Sequence, residues 1–119
     1  RIKTFLHERA LMLTPKEVDF YIRATLKQHG ISNVKYSFKH MPRTLGYYFV
    51  QNNEIVLSLT CLKSFTLFHE VLLHEMAHAL DAKEKGGTLK VNGRNDFHGK
   101  NWKKYCAQLK IPARRFIPA

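Results

Sequence analysis

Apolar residues along the chain change spacing several times, and each change marks an element. Thr14-Pro15-Lys16-Glu17 is a capping box with proline at the first helical position, and Val18, Tyr21, Ile22 and Leu26 follow at helical spacing before Gly30. The spacing predicts a helix from Pro15 to His29. Val34 to Phe38 reads as a short strand, and Tyr47 to Val50 with Glu54 to Leu59 reads as a hairpin turning at Gln51-Asn52-Asn53. A sheet of about three strands is expected from these segments. Ser64 or Thr66 can cap a long second helix that reaches about Lys85, where Gly86-Gly87 supplies a stop. A polar loop from Thr88 to Phe97 leads into a last helix over Gly99 to Leu109, with Trp102, Tyr105, Cys106 and Leu109 on one face and Pro112 after it. The expected class is α+β, a small three-stranded sheet packed on the long helix with two further helices.

The long helix carries the chemistry. His74-Glu75-Met76-Ala77-His78 is an HExxH motif. At about 100° per residue, His74 and His78 lie within about 40° of each other and one turn apart, so both imidazoles can reach one metal ion. Glu75 sits about 60° from His78, beside such an ion and not bound to it. Leu72, Leu73, Met76, Ala77, Ala79 and Leu80 fill the opposite arc. This predicts a helix buried on its back, with a polar edge turned to a cleft.

A catalytic zinc ion needs a third protein ligand and an open position for water. Glu84 lies six residues past His78, about 240° around the helix, and points away. Asp81 and Glu84 stand where the longer HExxHxxGxxH pattern has its glycine and third histidine. His98 is the best choice: it follows a loop long enough to fold back, and Gly99 beside it permits close approach. Asp96 is the fallback. His69, about 140° from His74, reads as a core or surface residue. Tyr47, Tyr48, Arg43 and His69 are all candidates to stabilise an oxyanion, and spacing favours none of them.

Composition narrows the setting. A chain of 119 residues without repeats or linkers supports one domain over residues 1–119, and 45% apolar residues exclude a disordered chain. No run approaches the roughly 18 apolar residues that span a bilayer, and the first twenty residues show no leader pattern. Cys61 and Cys106 lack CxxC spacing and read as buried free thiols, which favours a reducing interior, cytoplasm or nucleus. A monomer is expected. Net charge is +11, and from Asp81 onward ten Lys or Arg face three acids. Such an excess suits a polyanion bound without sequence preference.

Several separate segments resemble the SprT-like zinc metalloprotease domain, the catalytic module of Spartan-type DNA-protein crosslink proteases. His74 to His78 is similar to the family's helix, His98-Gly99 three residues before Trp102 to its HGxxW-like segment, and Leu45-Gly46-Tyr47 with Glu54-Ile55-Val56-Leu57-Ser58 to its hairpin. Together they span about residues 43–106, ahead of a basic tail over 110–119. The resemblance implies a zincin-like fold with one catalytic Zn2+ on His74, His78 and His98, and Glu75 as base. It also implies a protease acting on DNA-bound proteins. The cysteine-rich ribbon that many members carry after this domain is absent from the sequence. DNA contact is therefore expected from Lys100, Lys103, Lys104, Lys110, Arg114 and Arg115. Two other readings stay open: a zinc-stabilised nucleic-acid-binding module with Glu75 a bystander, and a peptidase for soluble peptides or one specific regulator, with the basic charge serving an acidic substrate.

Overall fold

The computed structural model describes residues 13–88 and 97–114, and the backbone of 90–91 and 94–95. Helix α1, Pro15–Gln28, begins as its sequence demands: Thr14 Oγ1 accepts from the Glu17 amide at 3.1 Å, and Glu17 Oε1 accepts from the Thr14 amide at 2.8 Å. Val18, Ile22 and Leu26 recur every four residues and are buried. Gly30, at φ 73°, turns the chain out of the helix.

Three strands follow: β1 (Lys35–Lys39), β2 (Gly46–Phe49) and β3 (Glu54–Ser58). Their order is β1-β3-β2, with β1 parallel and β2 antiparallel to β3. The central strand is the apolar one, and Ile55, Val56 and Leu57 are all buried. The hairpin turn contains a short 3-10 segment, Val50–Asn52, closed by Asn53 at φ 50°. Asn is among the few residues that tolerate the left-handed region, which explains its place there.

Helix α2, Phe65–Glu84, starts at Ser64, whose Oγ accepts from the Leu67 amide at 3.1 Å. It ends at Gly86 and Gly87, at φ 81° and 96°, where the Gly87 amide bonds back to the Ala82 carbonyl at 2.7 Å. The helix packs against the β2–β3 side of the sheet. Gly46 permits this: a Cβ there would stand 3.0 Å from the Val56 carbonyl oxygen and 3.1 Å from Val71 Cγ1. Helix α3, Lys100–Gln108, buries Trp102 and Cys106 against α2, with Leu109 beyond its end.

One core joins Val18, Ile22 and Leu26 of α1, Ile55 and Leu57 of β3, Phe68, Leu72 and Met76 of α2, and Trp102 and Cys106 of α3. Each large apolar side chain fully buried there contributes roughly 1.5–3 kcal/mol. The expected three-stranded sheet and three helices are all present. Two expectations are corrected. The segment expected to be a polar loop holds a two-stranded antiparallel pair, β4 (Lys90–Val91) with β5 (Arg94–Asn95). Strands of two residues are too short to show a period. The expected polar edge of α2 is also as buried as its back, because α3 closes over it. No helix among the described residues is long and apolar enough to cross a membrane. Cys61 and Cys106 are buried free thiols, and burial raises their pKa to about 12 and about 11.

Candidate metal centre

His74 and His78 lie one turn apart on α2, and the helix spacing brings their ring centroids to 5.6 Å. Ligand atoms of His74, Glu75 and His78 all fall within 4.8 Å of one another, and each residue is only 5–7% exposed. The bend before α3 carries His98 to the same place. Its ring centroid is 4.9 Å from that of His78 and 6.2 Å from that of His74. Three imidazoles on one tetrahedral ion at about 2.1 Å would hold ring centres about 5 Å apart. The observed triangle is close to that size.

Trp102 forms the floor. It is 0% exposed, and its ring lies 4.7 Å from His98, 5.0 Å from His74 and 5.4 Å from His78, stacked on the last at an interplanar angle of 20°. Sequence periodicity put Trp102 on a core face and could not say that the core at that point is three imidazoles. The spacing of four residues from His98, one helical turn, is the signal that was available.

The polar atoms of the site are incompletely matched. Glu75 Oε2 is 3.3 Å from His74 Nδ1, whereas Glu75 Oε1 and His78 Nδ1 are buried without a hydrogen-bond partner among the described residues. Unpaired buried polar atoms are costly, on the order of 1–3 kcal/mol each, and a cation among them relieves that cost. His74 Nε2 lies 2.8 Å from the Arg114 carbonyl oxygen. A metal ion at His74 would therefore take a nitrogen from either Glu75 or that carbonyl. The donor set, imidazole nitrogen with one carboxylate at hand, suits zinc among the common divalent ions.

Protonation follows from the surroundings. Burial, then the nearby charges of His74 and His98, pushes the His78 pKa down to about 3, so its imidazole is neutral at physiological pH and able to bind a metal. Burial also acts to lower the His74 pKa, but the hydrogen bond and charge of Glu75, with the Arg114 carbonyl and Glu70, outweigh it and raise the group above its ordinary value. Burial raises the Glu75 carboxyl, with His74 opposing.

His69 Nδ1 is hydrogen-bonded to the Tyr21 hydroxyl, and Tyr48 donates to Asn53 Oδ1 at 2.6 Å. Arg43 and Tyr47 are exposed. Glu84 accepts from Lys104 at 2.8 Å and from Tyr105 at 2.5 Å, both on α3. Asp96 and Arg115 lie outside the described residues. Of the basic residues, Lys100, Lys103 and Lys110 are exposed. Lys104 is paired with Glu84, and Arg114 makes a two-pronged bond to Glu70 at 2.8 and 2.9 Å. Sequence reasoning did not pick out Glu70, although its spacing of four residues from His74 puts it on the same edge of α2.

A three-stranded mixed sheet packed on a helix with two histidines and a glutamate at HExxH spacing defines an α+β protein with a candidate metal-binding helix. The model of the SprT-like family matches residues 16–118, and the chain belongs to that family. No curated protein and no solved structure matches it.

Proposed function

We propose that the chain is a zinc-dependent endopeptidase acting on DNA-bound or DNA-crosslinked proteins. The observation that carries the hydrolytic part is the meeting of three imidazoles beside the buried Oε1 of Glu75, which has no hydrogen-bond partner among the described residues. His74, His78 and His98 would hold the zinc, which supplies a Lewis acid able to acidify water and polarise a carbonyl. Glu75 Oε1 accepts the proton of the attacking water and returns it to the departing amine. Its burial helps, since a carboxyl with a raised pKa holds a proton long enough to hand it on. Trp102 packs against all three rings and keeps them in place.

Among the described residues, strand β2 pairs on one edge only, with β3. Tyr47 and Phe49 stand 38% and 43% exposed along it. An extended substrate can add to the open edge by main-chain hydrogen bonds. The net charge of +11 and the exposed Lys100 and Lys103, just after His98, support a nucleic-acid partner.

The test is cleavage of a DNA-binding protein by the zinc-loaded chain, with and without single-stranded DNA, beside Glu75→Gln. Expected are fragments that increase with DNA and vanish in the variant, a loss of about 10²–10⁴-fold with zinc retained. Cleavage indifferent to DNA would point to a peptidase for a soluble regulator. Zinc and DNA binding with no cleavage would leave a binding module.

A further inference from the structure

One buried polar contact between the two halves of the site has no part in the chemistry above. Asp81 lies three residues past His78 on α2 and is 0% exposed. Its Oδ1 accepts from Asn101 Nδ2 at 2.9 Å, and Lys85 Nζ stands 3.2 Å from the same oxygen. Asn101 is three residues past His98, in the first turn of α3 and next to Trp102. The hydrogen bond therefore ties α2, one turn after its second histidine, to α3, one turn after the third.

We infer that Asp81 is a positioning residue: through Asn101 it sets the start of α3, and with it His98 and Trp102, at the distance that His74 and His78 require. The inference rests on the metal reading of the site. Helix α3 begins at Gly99 without a side-chain cap, so its first turn takes no anchor from capping. A fully buried carboxylate is tolerated only where its partners are well placed, which makes the Asp81–Asn101 distance hard to change. Glu84 joins the same two helices one turn further on, through Lys104 and Tyr105. That second tie is solvent-exposed, with side chains 45% and 52% accessible at Glu84 and Lys104. Glu84 also accepts from Asn101, so Lys104 is the natural control, the end of that link whose polar partners among the described residues are Glu84 and Tyr105.

The experiment titrates the metal-free full chain with Co2+, reading the visible absorption of the ion and its affinity, and measures thermal melting of the metal-free protein separately. Asp81→Ala and Asn101→Ala are expected to weaken Co2+ binding about 10- to 100-fold and to reduce the intense bands of four-coordinate cobalt. Lys104→Ala is expected to bind Co2+ as the parent does, even where its melting temperature falls. The exchanged pair, Asp81→Asn with Asn101→Asp, is expected to recover most of the affinity by restoring the bond in reverse. Asn101 is only half-buried, so Asn101→Ala keeps the test open if Asp81→Ala fails to fold. Parent-like affinity and spectrum in Asn101→Ala would overturn the inference while leaving the metal centre intact. A parent that takes up no cobalt would overturn the metal reading and this inference with it.

Discussion

Trp102 stands four residues after His98 and within 4.7–5.4 Å of all three imidazoles, so one side chain links the hydrophobic core to the candidate metal centre. Trp102→Ala is expected to cost about 3–5 kcal/mol, because it leaves a void beside polar rings that cannot collapse into it. Urea unfolding of the metal-free protein would read this, and a loss below about 1 kcal/mol would contradict the packing described. At this scale the sequence was most informative where chemistry is local. Spacing along one helix suffices to put His74, Glu75 and His78 together. His98 was reached by elimination among residues after the helix, and the structure brings its ring beside theirs. The Arg114 carbonyl at His74 and the Glu70–Arg114 pair were out of reach, since both join segments about forty residues apart by a contact that no period encodes.

Gly46 shows the same limit between elements. The hairpin and α2 were each legible from their patterns, but not the closeness with which they pack. That closeness depends on the missing side chain at Gly46, where a Cβ would meet Val56 O at 3.0 Å and Val71 Cγ1 at 3.1 Å. Gly46→Ala is expected to destabilise the fold by about 1–3 kcal/mol. Adding Val71→Ala removes the second of those contacts, so the double variant should lose less than the sum of the single changes in a denaturation cycle. A second element-level prediction concerns the exposed tie between α2 and α3. The hydrogen bond from Lys104, then that from Tyr105, hold the Glu84 carboxyl down at about 2, against an ordinary value of 4.5. A carboxylate depressed on folding stabilises fully above about pH 4.5 and loses that contribution as pH falls toward 2. Glu84→Gln should therefore flatten the acid side of the stability curve between those values and leave its slope near neutrality unchanged. An acid limb identical in parent and variant would show that the pair contributes nothing measurable. The β4–β5 pair, in contrast, could not have been foreseen, because two residues per strand carry no alternation.

Charge acts at the scale of the whole molecule, and folding redistributes what the sequence only counts. The formal excess is +11, with the last third the richest part. Once folded, two of the basic residues expected to contact a polyanion are engaged, Lys104 by Glu84 and Arg114 by Glu70, whereas Lys100 and Lys103 stay exposed on α3. Ion pairs of that kind are weak at a surface, about 0–1 kcal/mol, yet they place a carboxylate where a phosphate would have to sit. The engaged residues should thus contribute less to nucleic-acid affinity than the exposed ones. For single-stranded DNA each phosphate neutralised adds about 0.7 to the slope of log affinity against log salt. Lys100→Ala and Lys103→Ala are each expected to lower that slope by about this amount, and Lys104→Ala and Glu84→Gln supply the contrast. Lys104→Ala should change the slope less, while Glu84→Gln, which frees Lys104, should increase it. Fluorescence anisotropy of a labelled oligonucleotide across a salt series gives all four slopes. Equal effects of Lys100, Lys103 and Lys104 would mean that net charge alone governs binding, and that the α3 face has no special part in it.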